Sequence, residues 1–294
     1  MDHPCPRSCE EQRKQVAARW QIITAPCDEE NKGTDMVSDE DQLVRLKVPT
    51  GAWEEISATD RYSILILGHI YNELMILQRA TWFSGPADTA TPVEQNAGSA
   101  QMMFFARMLC SKIYEAQTVI KKPQVLSFLR DRCFPLMEDG KGERELNAFF
   151  ERLKTSAWLA KVRNKHSMHY PTFGDWSPAI AEMTTRKMPF EYIAGHYTGE
   201  SFFLTSEHAA NLGLYLTVNP DDWKKGGAEI ANEIKEIARL LGALINNSMN
   251  EYLVALWESP NGKPQKLQRK LVKKFKRVEF DGFRLPYFFK MKKR

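Results

Sequence analysis

The chain has 294 residues, 43% apolar and 27% charged, with a net charge of only +4. That is enough apolar content to bury a core without staples, and no apolar run reaches the roughly 18 to 20 residues of a membrane span. Five cysteines (Cys5, Cys9, Cys27, Cys110 and Cys133), an odd number without a CxxC pair, argue against a disulfide framework and a four-thiolate zinc site.

The first 45 residues hold an acidic, weakly apolar patch from Asp28 to Asp41 and read as a mobile segment, with one short helix possible over 12–23. The N-terminus has no apolar stretch after its charges, so no secretory signal is read there and a cytoplasmic location is the expectation. His3, Cys5 and Cys9 lack a fourth partner at finger-like spacing, so no metal site is assigned to them.

A helical-bundle domain is expected over 46–260. The three- and four-residue spacing of Tyr62, Leu65, Ile66, His69, Ile70, Glu73, Leu74 and Leu77 predicts a helix over 59–83, capped by Ser57 or Thr59. After a Gly- and Pro-containing loop at 84–91 a second helix is predicted over 93–121, ending before Pro123. A shorter piece over 123–133 follows, then a long helix over 143–167 whose apolar face carries Leu146, Phe149, Phe150, Leu153 and Val162. It should finish between Ser167 and His169, because Tyr170 precedes Pro171.

Aromatic residues around Thr198-Gly199-Glu200 predict a β-hairpin inserted at about 185–205, and His208 would begin a short helix. A final helix over 228–257 carries Ile230, Ile234, Ile237, Leu241, Leu244, Ile245, Met249, Tyr252 and Leu256 on one face. The fold class is therefore mainly α, a bundle of four to five helices with an inserted hairpin. Residues 261–294 form a basic C-terminal extension: 13 Lys or Arg against two acids give 263–294 a charge of +11 and leave −7 on the rest.

Chemistry is concentrated in Arg163-Asn164-Lys165-His166-Ser167-Met168-His169. On an unbroken helix Arg163 and His169 would lie about 240° apart, but an unwound last turn would let His169 fold back beside Arg163 and Asn164. A permanent cation, an amide and an imidazole suit a reaction that stabilises a phosphorane while moving protons. RNA supplies its own nucleophile in the 2′-hydroxyl, so no metal is required.

Arg163-Asn164 and His169, late in a helix of a bundle, resemble the signature of the HEPN superfamily (higher eukaryotes and prokaryotes nucleotide-binding), in which an Arg, often followed by a polar residue, precedes a His by four to six positions. The resemblance implies a metal-independent endoribonuclease acting as a homodimer, often as a toxin or antiviral defence protein. It implies Arg163 and His169 as the catalytic pair and Asn164 as their polar companion; His166 falls outside the signature. The family also contains inactive scaffolds and binding modules, so an interaction module with a protein partner is the alternative.

A second alternative, a metal-binding bundle, would use His69 with Glu73 and His166 with His169, but lacks the Glu-x-x-His pairs of di-iron bundles. In the basic extension, Lys266, Arg269, Lys270, Lys273, Lys274, Lys276 and Arg277 flank a stripe of Leu267, Leu271, Phe275 and Val278. This pattern fits an RNA-backbone arm, a membrane-surface helix or a helix docked on the acidic body, and RNA is the reading that agrees with the motif. The run from Phe283 to Phe289 could stack bases or dock on the core. No Walker loop, GxGxxG or GxSxG is present, so no cofactor is expected.

Overall fold

A computed structural model of the chain describes residues 43–45, 50–87, 89–194, 201–258, 270–272 and 284–288. The chain divides into a large unit, 44–272 with 277–294, and a small one, 1–43 with 273–276. All of the small unit except Leu43, and so the expected N-terminal segment, lies outside the described residues.

The described residues are predominantly helical. In chain order they form β1 (Leu43–Arg45), α1 (Thr50–Glu55), α2 (Ala58–Phe83), α3 (Pro92–Ile120), α4 (Pro123–Ser127), α5 (Lys141–Thr155), α6 (Trp158–Val162), α7 (Phe173–Thr185), α8 (Leu204–Val218), α9 (Trp223–Glu258) and β2 (Lys270–Val272). A wide π-type turn, Phe128–Cys133, extends α4, and another, Arg163–Ser167, extends α6. β1 and β2 pair as a two-stranded sheet. No described helix is long and apolar enough to cross a membrane.

The helix starts are chemically explicit. Ser57 accepts from the Asp60 backbone N–H at 3.0 Å and caps α2. At α3 the Thr91 hydroxyl accepts from Glu94 N–H while the Glu94 carboxylate accepts from Thr91 N–H, and Pro92 occupies the first turn, where no donor is needed. Gly98 lets the 84–91 loop close on α3, since a Cβ there would stand 3.1 Å from the Ser84 carbonyl oxygen. At the other end of the bundle, a Cβ on Gly226 would overlap the Tyr215 carbonyl, so glycine is what allows α8 to lie against the start of α9.

The core is built around α9. Ile230, Ile234, Ile237, Ala238, Leu241, Leu244 and Ile245 are buried along one stripe, against Leu67 and Leu74 of α2, Ile113 of α3, Phe149 of α5 and Leu214 of α8. With Phe149 fully buried, its ring is part of the apolar area that offsets the entropy of ordering the chain.

Two expectations are corrected. The helix expected over 143–167 breaks at Ser156, whose backbone leaves the helical region (φ −106°, ψ 48°). Its hydroxyl donates to the Glu233 carboxylate of α9, which also accepts from Trp158 Nε1 at 3.2 Å. That contact reorients the chain into α6.

The hairpin expected over 185–205 is not supported. Thr172 and Asp175 form a capping box that starts α7, and α7 occupies the approach to the hairpin. Beyond it the described residues hold a single antiparallel bridge, Ile193 with Phe202, with reciprocal 2.8 Å hydrogen bonds. Phe202 is buried beside Ala97 and Ala100, and Leu204 already begins α8. The turn itself, 195–200, lies outside the described residues.

The end of the basic extension is partly folded onto the bundle. Leu285 N–H donates to the Phe83 carbonyl at 2.7 Å, and Tyr287 meets the Phe202 ring edge-on at 5.0 Å. Docking is therefore what the described part of the Phe283–Phe289 run does.

Because Phe149 is packed on all sides, Phe149→Ala should lower unfolding stability by about 3 to 5 kcal/mol. Urea denaturation followed by circular dichroism measures this.

Candidate functional site

The motif sits where α6 widens. Met168 N–H reaches back to the Arg163 carbonyl at 3.2 Å, the five-residue spacing of a π turn, a geometry frequent at functional sites. Ser167 fixes the turn by directing its hydroxyl to the Arg107 carbonyl of α3 at 2.8 Å, with the Val162 carbonyl at 3.3 Å. Lys165 pairs with Asp175, and that bond, followed by those to Thr172, holds the Asp175 carboxyl well below the ordinary carboxylate range.

Arg163 is held from two directions. Its Nε donates to Glu115 Oε1 of α3 at 2.9 Å, its Nη2 lies 2.8 Å from the same oxygen, and its Nη1 donates to Asn164 Oδ1 at 2.8 Å. The sequence pattern placed Asn164 beside Arg163, and the structure brings them into contact. Glu115 was missed, because nothing in the helix around it distinguishes it from any other surface carboxylate.

His166 and His169 occupy different environments. His166 is largely enclosed and its Nε2 lies 2.8 Å from the Thr217 hydroxyl of α8. Thr217 spends its own proton on the Gly213 carbonyl at 2.9 Å, so it accepts from His166, which assigns the proton of the neutral ring to Nε2. Burial, with Arg107 nearby, lowers the His166 pKa to about 4. His169, by contrast, is exposed and makes no hydrogen bond among the described residues.

His166 and His169 both line a cavity of about 480 Å³ between α3, the π turn, α7 and α8. Arg107, Met108 and Phe104 of α3, Trp176 of α7, and Ser206, Glu207 and Ala210 of α8 line it too, with Ser167, Met168, Tyr170 and Pro171 from the chain between. Arg163 and Asn164 do not line it. The structure therefore brings Arg163 together with Asn164, and His169 together with His166, but does not place Arg163 and His169 on one wall. Arg107 was missed too, although it had a visible signal: it is a lone cation in the apolar run Phe104-Phe105-Ala106-Arg107-Met108-Leu109.

Of the tail residues singled out for nucleic acid, Lys270 starts β2, so 270–272 are strand and not helix. Lys266, Arg269, Lys273, Lys274, Lys276 and Arg277 lie outside the described residues. The metal-bundle alternative has no assembled site here. Glu73 pairs with Lys112 at 2.7 Å, His166 with Thr217, and no cluster of three or more potential ligands occurs among the described residues.

Compared with known proteins, the chain matches no family model, no curated protein sequence and no solved structure.

The His166 environment has a definite pH signature. Its folded pKa, about 4, lies below the ordinary 6.5, so the unfolded chain takes up the proton first as pH falls. Stability should therefore be complete above about pH 6.5 and decline from there toward pH 4. Denaturant midpoints at pH 7 and pH 4.5 should converge in His166→Asn relative to the unsubstituted chain.

Proposed function

We propose that this chain is a HEPN-like protein that acts on RNA and cleaves it without a metal ion. The observation that carries the reading is a contrast: Arg163 is anchored by Glu115 and Asn164, while His169, just past the same π turn, is exposed and makes no hydrogen bond among the described residues. An oriented cation beside a proton-transfer group free to meet substrate is the minimum equipment for 2′-hydroxyl chemistry.

In the proposed step the 2′-oxygen attacks the adjacent phosphorus as its proton passes to His169. Arg163 holds the charge developing on the non-bridging oxygens, and Asn164 keeps the guanidinium in orientation. The P–O5′ bond breaks, the leaving oxygen takes up a proton, and the products end in a 2′,3′-cyclic phosphate and a 5′-hydroxyl. Since Arg163 is absent from the cavity that His169 lines, a homodimer that brings one protomer's Arg163 toward its partner's His169 fits this geometry better than a lone protomer.

A second reading is an interaction module without turnover. It is favoured by the Arg163–Glu115 pair, in which the guanidinium charge is already neutralised as a link between α6 and α3.

Purified protein incubated with mixed RNA in EDTA separates the two. Cyclic-phosphate ends should form with the unsubstituted chain and fall by about a hundredfold or more in Arg163→Ala and His169→Ala. Intact RNA in every lane, with the protein folded, replaces the enzyme by the interaction module.

The basic extension supplies affinity in this reading through phosphate neutralisation. Changing Lys273, Lys274, Lys276 and Arg277 to Gln should weaken RNA binding across sequences. It should also flatten the dependence of log affinity on log salt by about one unit for each phosphate that is no longer neutralised, as measured by filter binding at several salt concentrations.

A further inference from the structure

The cavity beside the motif has features that RNA cleavage does not use. Among the described residues Arg107 is the one charged side chain that is buried, with its side chain about 10% exposed. A guanidinium offers five N–H donors. Within the protein Nη1 donates to Asn211 Oδ1 at 3.0 Å, and the Glu207 carboxylate stands off at 3.8 Å from Nη2, beyond hydrogen-bond length. Its other donors have no acceptor among the described residues and are open toward the cavity that Arg107 lines.

Trp176 lines the same cavity, and its indole N–H, buried within the wall, has no partner among the described residues. Phe104, Met108, Trp176 and Ala210 form an apolar, ring-bearing wall, His166 there is neutral, and Ser167, Ser206, His169 and Glu207 are the polar groups that share the lining with Arg107. Arg107 is thus the permanent cation of a mixed enclosure with an aromatic side.

The charge balance discriminates among ligands. Arg107 and Glu207 balance each other, so an entering anion must displace Glu207; a carboxylate then pairs one-to-one with Arg107, whereas a phosphate monoester, carrying nearly two charges, leaves one uncompensated. A carboxylate also matches the fork of a guanidinium in the two-bond arrangement that gives the strongest such pairs. Glu207 is about a third exposed and has a solvent path when displaced. A volume near 480 Å³ falls within the range of small-molecule sites.

We propose that this cavity is a binding site for a small aromatic monocarboxylate, whose carboxylate takes the open donors of Arg107 and whose ring lies against the wall of Phe104, Met108 and Trp176. The cavity is shared with the His169 of the cleavage reading, but Arg107, Trp176 and Ala210 have no part in that chemistry, so the two are tested separately.

Titration calorimetry on the full chain tests it with three probes, indole-3-acetate, phenylacetate and benzoate, against uncharged indole and inorganic phosphate. At least one aromatic carboxylate should bind with a stoichiometry of one, with indole and phosphate weaker by about tenfold or more. Arg107→Met should reduce that affinity by about tenfold or more. Because Arg107 also ties α3 to α8, Ala210→Phe serves as the second variant: it fills the cavity while keeping every charge and should abolish binding. Circular dichroism establishes that each variant is folded.

Failure of all three carboxylates to bind the unsubstituted chain overturns the proposal. So does binding of indole or phosphate as tight as that of the best carboxylate, or unchanged binding in folded Ala210→Phe. The titrations contain no RNA, so failure of this proposal and failure of the cleavage reading are separate results.

Discussion

Placing a guanidinium inside a helical bundle costs several kcal/mol unless its donors are met, and Arg107 is where this fold carries that cost. Its side chain ties α3 to α8 through Asn211, and its backbone carbonyl receives the Ser167 hydroxyl that holds the π turn. Burial and then the positive charge of Arg107 keep His166 neutral, and the His166 Nε2–H donates to Thr217, joining the π turn to α8. The junction of α3, α6, α7 and α8 is therefore organised around one buried cation.

The long helices were legible because each carries a continuous apolar stripe. Those expected over 59–83 and 93–121 match Ala58–Phe83 and Pro92–Ile120 within a residue or so, and the last helix extends only to an earlier start at Trp223. Local chemistry set the ends, as with the Thr91–Glu94 capping box. The break at Ser156 was not legible, because it depends on Glu233, 77 residues away in the chain. The start of α7 could have been read: Thr172 and Asp175 are a capping box at the right spacing, overlooked beside the aromatic residues that followed. Those aromatics imitated strand composition, but they owe their places to separate contacts, Phe202 in a small core and Tyr192 against Phe203 at 4.6 Å. β propensity describes a half-buried surface and not a committed strand, and here the surface was the flank of a helical bundle.

The candidate site was legible only along one segment. Arg163, Asn164 and His169 stood out by spacing, yet the groups that decide what each does lie on other helices: Glu115 for Arg163, Thr217 for His166, and Arg107 with Glu207 for the cavity. A spacing motif carries no information on such partners. Nor could it tell that Arg163 and His169 would enter different surroundings, because that follows from the π turn and from its contacts with α3.

The two arginines of this region are suited to different work by their burial. Arg163 and Glu115 are about one-third and two-fifths exposed, the regime in which an ion pair contributes on the order of 0 to 1 kcal/mol. In the proposed cleavage reading, exchanging Glu115 for a phosphate is then inexpensive, and the carboxylate would hold the guanidinium extended until RNA arrives. Arg107 is about 10% exposed, and exchanging its partners requires an anion that can enter the cavity and replace what little Glu207 provides. The shallow, easily exchanged cation is the one the proposed cleavage reading uses, and the deep one is the one the proposed carboxylate site uses.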